Sequence, residues 1–247
     1  MGSCFKADII RLHKKPSMIV FMCIQIFLFA AFIVVIQLLA EEFGGSNAAS
    51  GIAGGAGSAG LFVGIPAYLA VIKDDFKSRS MQVAIGFGIP RSRMVICRFL
   101  EICMIFAEIF VVQTILGFIF GIVSGYDMGQ TAGALADMWI GLIPTISHVA
   151  IALLVVYTAM NHTLGLVIYI VLELGLVDMV LSLIKMVPFL RDIKIDFSNY
   201  WVDGVISNAL DQPVMQEALY VLITLAVYVV LPVIAAAAVF KKKELEA

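Results

Sequence analysis

The stretch "SMIVFMCIQIFLFAAFIVVIQLLA", Ser17 to Ala40, contains no acidic or basic side chain. A bilayer core of roughly 30 Å is crossed by about 20 helical residues, so this run alone commits the chain to a membrane. The composition agrees: 62% of the 247 residues are hydrophobic, 14% are charged, and the mean hydropathy is +1.05, outside the range of soluble domains. Working outward, five further apolar runs follow at Gly51–Ile72, Met94–Ser124, Trp139–Met160, Leu164–Val187 and Glu217–Phe240. The alternation over about ten residues that marks a membrane barrel is absent. Helices must therefore satisfy the backbone in lipid, and the expected fold is an all-α integral membrane protein with six transmembrane helices.

Basic residues stay on the cytoplasmic side of short loops. All of them except Lys185, Arg191 and Lys194 lie before the first run, after the second or after the sixth. Both termini are thus expected to be cytoplasmic, with a basic tail over 241–247. Cys4, Cys23, Cys97 and Cys103 then fall in the cytoplasm or the inner half of a span, and no exported disulfide is expected. Met1 begins a charged segment without a small-residue cleavage site, so the first run is expected to be retained as an anchor.

Within residues 1–16, Phe5, Ile9 and Leu12 recur at helical spacing while Lys6, Asp8, Arg11, Lys14 and Lys15 occupy the other faces. This pattern suits an interfacial helix on membrane lipid that Pro16 ends. The glycine-rich stretch Gly51–Gly64 fits either a close helix-packing face, with Gly60 and Gly64 at small-xxx-small spacing, or an outer loop before a short span. Between the last two runs, the outer segment 188–214 repeats Ile193, Phe197, Trp201, Val205 and Ala209 every four residues, with Tyr200 beside the stripe and Asp192, Asp196, Asp203 and Asp211 around it. It reads as an interfacial or re-entrant cap carrying Phe197, Tyr200 and Trp201.

Several chemistries lack their residues. No Gly-Lys dipeptide occurs, so the chain has no phosphate-cradling P-loop. His148 and His162 stand too far apart on one helix to share a metal, and Cys97 and Cys103 lack the spacing of a zinc or redox pair. No catalytic residue and no metal site are expected. A net charge of −2 without a basic domain argues against nucleic acid as a partner. The residues that need explaining are the intramembrane carboxylates Glu101, Glu108, Glu173 and Asp178, because a charge at mid-bilayer costs about 2.5–3.5 kcal/mol. Glu101 and Glu108 share a helix face, with Arg98 one turn from Glu101 and able to pair with it. Asp178, Ser182 and Lys185 share another. These groups either line a translocation path or pair between helices.

The loop 73–93 crowds charge between two apolar runs. Asp74 or Asp75 can cap a short helix whose face holds Phe76, Ser80, Val83, Ala84 and Phe87, Gly86 and Gly88 let it end, and Pro90 suits the first turn of the next helix. Arg91, Arg93 and Arg98 hold the loop against anionic lipid, while Phe76, Met81, Val83 and Phe87 offer an apolar surface to something outside the chain.

Phe76, Ser80, Met81, Gln82, Ile85, Gly88, Ile89, Pro90, Arg91 and Arg93, with Arg98 beyond, resemble the cytoplasmic loop of ABC type-2 exporter permeases, and the bacterial peptide-antibiotic or bacteriocin immunity branch is the most similar. The likeness extends over the whole chain: a surface helix, six spans, a short turn at Asn161 and His162, and a large outer segment. The resemblance implies a coupling helix docking on a separate ATP-binding-cassette ATPase through Phe76, Arg79, Met81, Gln82, Val83, Phe87, Gly88, Pro90 and Arg91. It further implies ATP and Mg2+ bound by that partner, a second permease copy, identical or similar, and a place in the bacterial cytoplasmic membrane. The expected role is export of an amphipathic substrate such as a peptide antibiotic, a lipid-like molecule or a drug. The alternative is an ATPase-independent membrane sensor or intramembrane enzyme using Glu101, Glu108 and His148 to handle protons.

Overall fold

Long apolar segments that can find no backbone partner in lipid satisfy themselves as helices, and every regular element among the described residues of the computed structural model is helical. Those residues are 9–43, 60–77, 80–125, 127–184, 197–210 and 214–243. A helical segment at 9–13 precedes α1 (Pro16–Phe43), and α2 (Gly60–Lys73) ends in a π-helical turn at Leu69–Lys73. Two short helices follow, α3 (Asp74–Lys77) and α4 (Ser80–Gly86), and then α5 (Arg91–Val123). Next come α6 (Met128–Ile140), α7 (Leu142–Ala159), α8 (His162–Glu173) and α9 (Leu176–Ile184). A 3-10 turn (Phe197–Tyr200) leads into α10 (Val202–Leu210) and α11 (Val214–Thr224), and a π-helical stretch (Leu225–Val230) joins α11 to α12 (Leu231–Lys242).

Four stretches are long and apolar enough to cross a membrane: Met18–Val35, Arg91–Val123, Met128–Ala159 and Gln216–Lys242. The pair α8–α9, bent by 59° at its break, makes a fifth if it is one span. Gly60–Lys73 is apolar but shorter, and residues 51–59 of the expected second span lie outside the described residues. The surface is consistent with a membrane protein: Phe27, Leu38, Val123, Leu222 and Ile234 are all more than half exposed, as side chains that face lipid are.

Two expected spans differ from the sequence reading. The fourth begins earlier, because Asp127 caps α6, its carboxylate accepting the amides of Gly129 and Gln130 at 3.0 and 3.2 Å. The fifth is broken after Glu173, where Gly175 takes a φ of +66° and its amide bonds back to Leu172, a glycine C-cap that stops one helix and re-aims the next.

The chain divides into two compact units. In the first, residues 1–74 and 100–142, the indole of Trp139 donates to the Thr114 hydroxyl at 2.9 Å and meets Phe110 edge-on at 5.7 Å. The buried Gln25 amide donates to the Phe62 carbonyl and Lys15 to that of Ala70. In the second, residues 75–99 and 143–247, Tyr157 packs on Phe240 at 4.9 Å, Lys243 donates to the Thr158 carbonyl, and Arg91 donates to the carbonyl of Lys243. Helix α12 runs through Lys241 and Lys242, whose charges complement its C-terminal dipole; residues 244–247 of the expected tail lie outside the described residues.

Candidate functional site

The second unit gathers the most concentrated chemistry around His148, buried at 2% exposure on α7. Its Nδ1 lies 2.8 Å from Oε2 of Glu173, the last residue of α8, and its Nε2 lies 3.4 Å from Oδ2 of Asp203 in the first turn of α10. Thr145, three residues before His148 and so on the same helix face, donates its hydroxyl to the other oxygen of Glu173 at 2.8 Å. Glu173 is the last residue of α8, and the break follows it at Gly175.

Aromatic rings complete the arrangement. Trp201 stacks on the His148 ring with 6.3 Å between centroids and 16° between planes, and Tyr228 meets Trp201 edge-on at 5.8 Å. Tyr228 sits in the π-helical stretch, a distortion that often marks functional positions, and its hydroxyl donates to the Tyr200 carbonyl. The segment 197–210 is thereby tied to α7 and to the last helices. The indole nitrogen of Trp201 and Oδ1 of Asp178 are buried without a hydrogen-bond partner, and so are Nε2 of His148 and Oδ2 of Asp203, which meet as an ion pair outside hydrogen-bond geometry. Among the described residues no group of three or more His, Cys, Asp or Glu side chains is arranged to hold a metal ion. What the cluster can do is hold and exchange a proton between one imidazole and two carboxylates.

The first unit brings the other pair of carboxylates to a cleft walled by Ile9, Leu12, Met18, Met22, Met104 and Ile105. Glu101 is 1% exposed. Glu108 accepts from Nε2 of His13 at 3.0 Å, while Nδ1 of His13 donates to the Ile9 carbonyl at 2.9 Å. The partner Glu108 needs thus comes from the segment before α1.

The expected coupling loop takes a different form from a single apolar face. Met81 is 4% exposed and Phe76 is half-buried against the ring of His162 at 5.7 Å, so both pack within their own unit. Val83 and Phe87, at 56% and 84%, and Gln82 stay exposed. Helical spacing explains the split around α4: Val83 and Phe87, four residues apart, share a face that Met81, two residues before Val83, does not. Gly88, with φ of +83°, ends α4 through bonds from its own amide to Ile85 and from Ile89 to Ala84, the Schellman pattern, and Pro90 precedes α5. Asp75 is no exposed cap; it is buried in an ion pair with Arg98, which is likewise buried and does not face headgroups. Arg79 lies outside the described residues.

The outer stripe is also shifted. Val202, Ile206 and Ala209 are the buried face of α10, while Phe197 and Tyr200 are exposed. A strict four-residue repeat drifts around a 3.6-residue helix, and the chain bends at Trp201 between the 3-10 turn and α10. Asp203 was legible as one of four acids in this segment, His148, Glu173 and Trp201 were singled out separately, Thr145 and Tyr228 were not, and a local hint of the helix break was Gly175, two residues after Glu173 in an apolar run. No protein-family model, no curated protein and no solved structure matches this chain.

Proposed function

We propose that the chain is the transmembrane permease subunit of an ATP-binding-cassette exporter in a bacterial cytoplasmic membrane. In this reading Gly51–Ile72 completes six spans, both termini face the cytoplasm, and two permeases assemble with two ATPases that bind ATP and Mg2+. The cargo is amphipathic: a peptide antibiotic, a lipid-like molecule or a drug. The observation that carries it is the exposed pair Val83, on α4, and Phe87, directly after it. Helix α4 is short, joined to the spanning helix α5 by a hydrogen-bonded glycine turn and flanked by the buried Asp75–Arg98 pair. An apolar tip fixed in this way suits a lever moved by a partner. The experiment is to purify the Val83→Asp/Phe87→Asp double variant and measure ATPase recovery and transport. Loss of both with the permease still monodisperse supports the reading; undiminished recovery overturns it.

The His148 cluster favours a second reading, an ATPase-independent sensor or intramembrane enzyme that handles protons through buried carboxylates. Activity of the isolated chain, without nucleotide or partner, would select it over the first.

A further inference from the structure

We propose that His148 is a proton-operated latch that fastens the segment 197–210 to the bend between α8 and α9. Neutral imidazole carries one N–H and one lone pair. Here each ring nitrogen faces a carboxylate, Glu173 on one side and Asp203 on the other, so either neutral tautomer sets a lone pair against an anion. The imidazolium alone offers a donor to both. Its charge also faces the Trp201 ring, an added attraction that the neutral form lacks.

The two sides of the latch are not equivalent. Glu173 is 8% exposed and held by Thr145, whereas Asp203 is 36% exposed, so Asp203 is the side that lets go. Gly204 lies directly against the backbone of Ser198, which makes the 3-10 turn and the start of α10 move as one piece. Among the described residues, the other titratable groups on the surrounding elements are Tyr157 further along α7, Tyr169 one turn before Glu173, Asp178 beyond the bend, Tyr200 in the 3-10 turn and Tyr228 behind Trp201. None of these supplies a cation, and His162 stands at the far end of α8, roughly three turns away. Loss of the proton from His148 therefore leaves Glu173 and Asp203 facing each other uncompensated, and the segment releases. The latch requires neither an ATPase nor a cargo, so its failure and that of the permease reading are distinguishable.

The test uses the full chain in nanodiscs with Trp139→Phe, leaving Trp201 as the remaining tryptophan. Acrylamide quenching of Trp201 is followed between about pH 5 and 9. The expected result is a single transition with quenching several-fold stronger on the alkaline side, absent in His148→Gln, which stays at the open level throughout. Asp203→Asn, whose amide can donate to the lone pair of the neutral ring, should stay closed on the alkaline side. A flat profile in the parent, or an unchanged transition in His148→Gln, overturns the latch. Should His148→Gln not fold, Asp203→Asn decides, and an alkaline release that persists there overturns it equally.

Discussion

Asp75 and Arg98 form an ion pair inside the protein, with 2% and 6% of their side chains exposed. The pair joins the short helix α3 to the cytoplasmic-side turn of α5 in the proposed topology, across the loop that carries Val83 and Phe87. Removing one charge strands the other in a low-dielectric site. Arg98→Met is expected to cost about 3–5 kcal/mol, read as a lower thermal-unfolding midpoint in detergent, whereas Asp75→Leu/Arg98→Met together should recover most of the loss.

Met81 and Val83, two residues apart, should respond in opposite ways to the same change. Met81→Asp buries a carboxylate at a 4% exposed site and is expected to destabilise by several kcal/mol. Val83→Asp, at a site 56% exposed, should leave the melting curve within about 0.5 kcal/mol of the parent. Equal losses for the two would contradict the packing of α4.

Glycines separate backbone strain from crowding. At Gly88 and Gly175 an added Cβ meets nothing within 4 Å, so alanine there should cost only the left-handed backbone, about 1–2 kcal/mol each. At Gly204 the Cβ would collide with the backbone carbonyl of Ser198. Gly204→Ala should therefore shift the 3-10 turn and alter Trp201 emission, while Gly88→Ala leaves that emission unchanged.

His13 gives a pH dependence outside the spans. The hydrogen bond to the Ile9 carbonyl, opposed by partial burial and reinforced by Glu108, raises its pKa above the ordinary value of about 6.5. The charged ring donates to both acceptors, so the tether of residues 9–13 to Glu108 contributes fully below about pH 6.5 and is lost as pH rises through the raised value. Amide exchange in residues 9–13 should accelerate beyond its intrinsic pH dependence across that window, and His13→Gln should abolish the excess.

Much of the architecture was legible in single residues. Ser17–Ala40 could only be a membrane helix, Asn161 and Gly88 marked real helix boundaries, and Pro90 sits just ahead of α5. The partner of Glu108 was foreseen as a need but not as His13, since a helix presents its acid to whichever element packs there and 95 residues separate the two. Glu173 and Trp201 were singled out for different reasons, one as an intramembrane acid and the other as part of an aromatic stripe. Nothing in their spacing placed them on either side of one histidine.

The sequence by itself determined the class of protein, because hydropathy acts locally: apolar runs long enough to cross a bilayer must become helices there, whatever they later touch. Only the tertiary structure decided which polar residues meet. Within the second unit, Glu173 at the end of α8 and Asp203 in the first turn of α10 meet the two nitrogens of one ring, His148. The costs of burying these groups are met by contacts between distant segments, which no window of sequence contains.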